Sequence, residues 1–108
     1  MIIRHKTPSN GWVKVERRVL ELDMSDGAKV LYSYLCGLKN GSAYVDAYLV
    51  KALKCSTAML TRRKKELKNH DLLLVEQVLP RVYVAYIGHS KETAAQIKEG
   101  WNKEDAII

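Results

Sequence analysis

The sequence has few of the features that mark secreted, membrane-spanning or disulfide-stabilised proteins. Its 108 residues include two cysteines, Cys36 and Cys55, which form no CxxC pair, so we expect reduced thiols rather than a disulfide framework. No stretch approaches the roughly 20 consecutive apolar residues that a bilayer-spanning helix needs. The first residues also lack the apolar segment and cleavage site of a secretory signal. These absences predict a cytoplasmic protein without membrane contact.

Sequence motifs of catalysis and cofactor binding are missing as well. The chain has no glycine-rich phosphate loop, no Gly-x-Ser-x-Gly element and no obvious carboxylate pair. Its three histidines share no metal-ligand spacing with each other or with the cysteines. We therefore expect no enzyme, no cofactor and no metal site. Repeats and linkers rich in proline, glycine or serine are also missing, which favours one domain.

Positive charge is concentrated in one segment of the chain. The net charge is +6, and residues 51–68 alone hold seven Lys or Arg and one Glu, which also sums to +6. A cluster of one sign attracts a polyanion, either nucleic acid or an anionic membrane surface. The plainer alternative is a charged helix face that contacts only solvent.

Apolar periodicity predicts an α+β fold. Residues 12–16 alternate between apolar and polar side chains, which favours a short strand. Each of three helical patterns begins with a serine or aspartate whose side chain can cap the free amide groups of the first turn. These helices, written with the expected cap first, run from Ser25 to Asn40, from Asp46 to Leu53 and from Ser56 to Asn69.

Beyond the third helix the pattern changes to that of a hairpin and a final helix. Two apolar runs, Leu72–Val78 and Val82–Ile87, are expected to pair as antiparallel strands. Because Pro80 cannot adopt the positive φ of the tightest hairpin turns, we expect a loop of about four residues at the tip. The last helix is expected to start near Ser90. Its apolar stripe packs either on this domain or against a second copy of the chain, and comprises Ala94, Ile97 and Trp101.

A motif of ordered landmarks occupies residues 53–73, LKCSTAMLTRRKKELKNHDLL. The landmarks, in order, are Ser56, Leu60, Arg62, Glu66-Leu67 and Leu72-Leu73. This succession resembles the turn, recognition helix and first wing strand of winged helix-turn-helix DNA-binding proteins. The run from Trp12 to Leu38 also resembles the corresponding domain of plasmid and phage replication proteins, so the likeness spans about residues 12–87.

The resemblance implies a fold, a function and a division of the chain. The expected fold is a winged helix-turn-helix over residues 12–89, preceded by a basic arm over residues 1–11 and followed by a C-terminal helix and tail over residues 90–108. The implied function is sequence-specific binding of double-stranded DNA in a plasmid, phage or conjugative element, during replication, DNA transfer or transcription control. Two residues depart from the family pattern, because Lys64 replaces an apolar residue and Asp71 replaces a glycine.

Helical geometry sorts the third helix into faces without any appeal to resemblance. At about 100° per residue, Leu60 and Leu67 point in nearly the same direction and are expected to face the core. Two threonines and two lysines cluster around a mean direction about 100° away from that of the leucines. Hydroxyl groups near a helix start can reach base edges in the major groove, and lysines further along suit phosphates. The members of this face are Thr57, Thr61, Lys65 and Lys68.

The full set of candidate DNA contacts extends this face. Arg62 lies on its flank and suits either a phosphate or a guanine. Arg81 at the hairpin tip is placed to meet the backbone or the minor groove, and Arg4 and Lys6 of the arm are candidates for an adjacent groove, with a disordered terminus as the alternative. The candidates are Ser56, Thr57, Thr61, Arg62, Arg63, Lys65, Lys68 and Arg81, with Arg4 and Lys6 as arm contacts.

Two other function classes remain open from the sequence. The fold can serve as a protein-interaction or inhibitor module that binds an acidic partner, for which Val78 and Leu79 at the hairpin tip and the apolar stripe of the last helix are the motivation. A replication or transfer protein is one such partner, and a homodimer through the last helix is another arrangement. RNA binding is the third class, and competition between duplex DNA and RNA hairpins separates it from the first.

Overall fold

The computed structural model describes residues 1–4, 15–38, 41 and 43–105, with side-chain positions as far as Gly100. Five helices and three strands form in this part of the chain, which confirms the expected α+β class. In chain order they are β1 (Ile2–Arg4), α1 (Arg17–Leu20), α2 (Asp26–Gly37), α3 (Asp46–Leu53), α4 (Thr57–Asn69), β2 (Leu73–Leu79), β3 (Val82–Ile87) and α5 (Ala94–Asp105).

The three strands form one mixed sheet in the order β1-β3-β2. Strand β2 pairs with β3 as the expected antiparallel hairpin, and β1 adds to the other edge of β3 in parallel, with Ile2 opposite Val84. The expectation of a basic arm from the first residue is therefore wrong for Ile2–Arg4. Ile3 is fully buried, and its burial favours a paired strand over a solvated arm. The rest of the expected arm, including Lys6, lies outside the described residues.

The expected strand over residues 12–16 is not present in its described part. Val15 and Glu16 have no strand pairing, and Glu16 instead occupies the position before the one-turn helix α1. This helix buries Val19 and is too short to give a periodic sequence signal. The remaining residues of the expected strand, 12–14, lie outside the described range.

The two serine caps are confirmed. The Ser25 hydroxyl accepts a hydrogen bond from Ala28 N at 3.2 Å, and the Ser56 hydroxyl accepts one from Met59 N at 3.1 Å. The third expected cap is wrong, because Asp46 is the first helical residue of α3 and the capping position is Val45. The Asp46 carboxylate is thus available for a contact with α4.

The hairpin tip is tighter than expected. Leu79 is paired with Val82, so the turn consists of two residues, Pro80 and Arg81. The positive φ falls on Arg81, at 63°, while proline at the first position matches its own fixed φ, as in a type II turn. Type II turns splay the strands, and a register shift between Gln77 and Leu79 accompanies the turn.

The sheet separates two apolar clusters. One face of β3, with Ala85 and Ile87, joins the main core of α1–α4. The other face, with Val84 and Tyr86, is covered by Ala94 and Ile97 of α5. Ala94 and Ile97 of the expected stripe therefore pack on the same chain, as one of the two expected arrangements requires. No helix within the described residues has both the length and the apolar character needed to cross a bilayer.

The junction between β3 and α5 is held by close backbone contacts. Gly88 N donates to Leu72 O at 2.9 Å, and the buried Tyr32 hydroxyl donates to Gly88 O at 2.7 Å. A Cβ at Gly88 would lie 2.6 Å from Asp71 O and 2.5 Å from Ala94 N, so only glycine fits. These contacts fix the end of α4, the base of the hairpin and the start of α5 relative to one another.

Candidate nucleic-acid interface

Helices α3 and α4 are joined by a turn of three residues. Helix α3 ends at Leu53 and α4 begins at Thr57. Lys54 adopts a left-handed φ of 51°, which reverses the chain, and Cys55 N donates to Val50 O at 3.2 Å. Such a tight helix pair is typical of a helix-turn-helix unit.

The inner face of α4 is the one expected from its periodicity. Leu60 and Leu67 are both buried in the main core. Because these two leucines lie on the same side of the helix, they determine which face of α4 packs against the core. The side chains on the other side of α4 point outward.

Lys64 is held by α3 and does not belong to the outward face. Its Nζ lies 2.5 Å from Asp46 Oδ1, and its side chain is only 13% exposed. The lysine stem thus lies at the edge of the core, at a position where the family pattern has an apolar residue. One of the seven positive charges of residues 51–68 is therefore paired with a carboxylate of the same chain.

Arg63 lies across the start of α2. A Cβ built on Gly27 would be 2.2 Å from Arg63 Nε and 2.6 Å from Arg63 Cζ, so the guanidinium rests against the α2 backbone where glycine leaves space. Arg63 is half-buried there. It was among the candidate DNA contacts, but its side chain is directed to α2 and away from the outward face of α4.

Glu66 joins α4 to the N-terminal end of α2. Its Oε1 accepts from Ser25 N at 2.9 Å, and its Oε2 accepts from the Ser25 hydroxyl at 2.6 Å. Both hydrogen bonds favour the charged carboxylate and hold the pKa of Glu66 below its ordinary value. In the sequence, Glu66 was recognisable only as a landmark of the motif, because its positioning role depends on the contact with Ser25 of the α2 cap.

The outward face of α4 is exposed along its length. The Thr61 hydroxyl donates to Thr57 O at 3.0 Å, which leaves its oxygen lone pairs to accept a further hydrogen bond. Ser56 uses its oxygen as the helix cap and keeps its O–H for another partner. The remaining exposed residues of this face are Thr57, Arg62, Lys65 and Lys68, and we refer to Thr57, Thr61, Arg62, Lys65 and Lys68 together as the outward face.

Two further cations lie close to this face in the chain. Lys51 near the end of α3 and Lys54 in the turn are both exposed. They belong to the basic segment but were not among the candidate contacts. Because both lysines are exposed and lie in or near the turn that precedes α4, we add them to the candidate DNA contacts.

The hairpin and the first strand carry the other candidates. Arg81 is exposed at the tip of the hairpin, beside exposed Val78 and Leu79. Arg4 is the last residue of β1 and is partly buried, so the structure places it in the sheet. Lys6 lies outside the described residues.

Several tyrosines contact one another, and the two cysteines are not joined in a disulfide. The hydroxyls of Tyr34 and Tyr48 are 3.2 Å apart, and the rings of Tyr44 and Tyr48 are 5.4 Å apart. Both thiols are free, and burial raises the pKa of Cys36 to about 11. Within residues 1–4, 15–38, 41 and 43–100, no three His, Cys, Asp or Glu side chains gather in a metal-binding arrangement.

Comparisons with known proteins identify no relative of this chain. No protein-family model, no curated protein and no solved structure matches it. The functional argument therefore depends on the geometry and charge of the chain itself.

Proposed function

We propose that this protein is a winged helix-turn-helix that binds double-stranded DNA, with α4 in the major groove. The observation that carries the proposal is the sorting of side chains around α4. Arg63 and Lys64 are held against α2 and α3, whereas Lys65 and Lys68 are exposed beside two threonine hydroxyls. A helix with this outward face and firm anchors on its inner side is suited to recognition of a polyanion.

The order of elements around α4 supports the same proposal. A tight helix pair is followed directly by a β-hairpin, which is the succession of a recognition helix and its wing. Asp71, which replaces the usual glycine of the family pattern, has a left-handed φ of 59°. Aspartate tolerates this conformation better than most residues, so the replacement is compatible with the fold.

The dimensions of α4 suit the major groove. Its 13 residues give a rod about 20 Å long, and the groove is about 12 Å wide. Thr57 and Thr61 near the N-terminal end are proposed to contact base edges, while Lys65 and Lys68 contact phosphates. Arg62 on the flank is proposed to contact a phosphate or the O6 and N7 of a guanine, and the hairpin meets the backbone or the minor groove.

The biological setting is proposed from the motif in residues 53–73 and the upstream run from Trp12 to Leu38. It is replication, DNA transfer or transcription control in a plasmid, phage or conjugative element. Selection of bound sequences from a random duplex pool identifies the symmetry of the site, because a palindrome indicates a dimer on DNA.

The salt dependence of duplex binding tests the proposal. Five exposed cations lie on or beside α4: Lys51, Lys54, Arg62, Lys65 and Lys68. If four or five of them neutralise phosphates, the slope of log affinity against log salt is about −3.6 to −4.5, and Arg81 adds about −0.9. A flat salt response contradicts the proposal, and preferential binding of RNA hairpins over duplex DNA contradicts its DNA part.

A matched pair of double variants separates DNA binding from the protein-interaction alternative. Replacement of Lys65 and Lys68 by Glu is expected to abolish duplex binding, since two phosphate contacts become repulsions. Replacement of Arg18 and Lys91 by Glu makes the same charge change at two exposed residues outside α3, α4 and the hairpin, and serves as the control. Equal effects of the two double variants would show a nonspecific charge effect and contradict the assigned face.

A further inference from the structure

The tip of the β2–β3 hairpin is apolar and exposed. Leu79 is 63% exposed and Val78 is 44% exposed, and Pro80 beside them is exposed as well. These three residues lie next to one another at the end of a hairpin. An exposed apolar patch of this kind marks a contact with another surface.

The charge at the tip narrows the choice of that surface. Residues 77–87 contain one charged side chain, Arg81, and no acidic one. The nearest carboxylate along β2, on Glu76, is paired with Lys98 Nζ. A lone cation set among apolar groups suits a surface whose rim is anionic and whose floor is apolar. The minor groove of DNA is such a surface, with phosphates along its walls and sugars and base edges inside.

The backbone shape of the tip agrees with insertion into a narrow groove. The turn has only two residues, and the register shift at Gln77/Leu79 increases the local twist. The minor groove is about 6 Å wide, so a two-residue turn presents a narrow enough end. Arg81 keeps a φ of 63° that is unfavourable for a non-glycine residue, and such strain is typical of sites that contact a ligand.

The base of the hairpin is anchored, which a wedge requires. Lys98 of α5 pairs with Glu76 of β2, and Ala94 and Ile97 pack on the β3 residues Val84 and Tyr86. A force on the tip is therefore transmitted to the body of the protein rather than absorbed by hinge motion.

We propose that Leu79 enters the minor groove, partly unstacks a base step and bends the duplex, while Arg81 contacts a phosphate of the groove wall. This inference rests on the proposed function, because it assigns a second contact to the same bound duplex. Apolar wedges of leucine or proline at minor-groove contacts bend DNA by about 20–90°. Pro80 beside Leu79 adds an apolar group without a free N–H.

The test measures the stiffness of a long duplex tether, which needs no knowledge of the target sequence. Naked duplex has a persistence length of about 50 nm. Saturation with the wild-type protein is expected to lower the apparent value at least about twofold, as random bends accumulate. Leu79→Ser is expected to bind at saturation and leave the value near about 50 nm. Arg81→Ala is expected to need more protein for saturation and to lower the salt slope by about 0.9.

The control is Val30→Ser, which removes a 53% exposed valine from α2 and is expected to bend DNA like the wild type. Circular dichroism confirms that each variant is folded. Binding without bending by the wild type overturns the wedge and leaves the proposed function intact. Bending by Leu79→Ser equal to that of the wild type also overturns it. Failure of the wild type to bind any duplex overturns the proposed function instead.

Two other occupants of the tip are outcomes of the same experiments. If the wild type dimerises in sedimentation equilibrium without DNA and Leu79→Ser does not, the tip is an interface between copies and the wedge is rejected. If the wild type cosediments with phosphatidylserine vesicles, Leu79→Ser does not, and both bend DNA equally, the tip contacts lipid and the wedge is likewise rejected.

Discussion

Two consecutive lysines have different surroundings in the structure, and the proposed function predicts different effects when each is replaced. Lys64 is 13% exposed with its Nζ 2.5 Å from Asp46 Oδ1, whereas Lys65 is exposed. The Asp46 side chain is 51% exposed, so solvent screens the pair and its loss is worth about 1 kcal/mol or less. Lys64→Ala also removes the packed stem, so we expect its total loss of unfolding free energy to be about 1–2 kcal/mol. The salt slope of DNA binding should be unchanged.

Lys65→Ala is expected to change DNA binding and to leave the stability of the fold nearly unchanged. The unfolding free energy should change by less than about 0.5 kcal/mol, because the side chain is exposed. The salt slope should fall by about 0.9, so a fourfold rise in salt weakens the variant about 3.5-fold less than the wild type. Thermal unfolding and fluorescence anisotropy with a labelled duplex give the two quantities for both variants.

Asp46→Asn supplies the matching half of a double-mutant cycle with Lys64→Ala. We expect the cycle to give a non-zero interaction free energy between positions 46 and 64, and we expect none of its variants to change the salt slope of DNA binding. If Lys64→Ala lowers the salt slope as much as Lys65→Ala does, the division of α4 into anchored and outward faces is refuted.

Three further predictions concern the hairpin tip, the α2–α4 contact and the buried thiol. Arg81→Gly is expected to raise the unfolding free energy by about 0.5–1 kcal/mol, because glycine adopts a positive φ without strain. It should also lower the salt slope of DNA binding by about 0.9. Denaturant unfolding and fluorescence anisotropy measure these two effects, and a destabilised variant would contradict the backbone strain at Arg81. Hydrogen bonds from Ser25 lower the pKa of Glu66, so its contribution to stability is present above the ordinary value of 4.5 and is lost as the pH falls through the folded-state pKa. The stability difference between the wild type and Glu66→Gln should therefore shrink under acid, and a difference that persists there would argue against the contact. Burial raises the pKa of Cys36 to about 11, so iodoacetamide should modify this thiol more slowly at pH 8 in the native protein than in the unfolded chain, and equal rates would contradict its burial.

Features set by nearby residues were predictable from the sequence. Ser25 and Ser56 are caps because their hydroxyls satisfy amides three residues away, and such short-range chemistry is visible in the order of residues. The buried Leu60 and Leu67 follow from helical spacing alone. The same spacing predicted which residues of α4 point outward.

Features set by distant partners were not predictable. Strand β1 has three residues and pairs with β3 about eighty positions later, so no local pattern announces it. Arg63 was expected to face DNA as a member of the basic segment, residues 51–68. Its true direction depends on the space above Gly27, which lies on another helix. The two-residue turn was missed because the positive φ falls on Arg81, where glycine or asparagine is usual.

The most direct test of the account is a nuclear magnetic resonance titration of the isotope-labelled protein with a short DNA duplex. The account predicts the largest chemical-shift changes at Thr57, Thr61, Lys65 and Lys68, together with contacts between the threonine methyl groups and major-groove protons. Changes centred instead on exposed residues outside α4, such as Val30 of α2 and Tyr48 of α3, would contradict it.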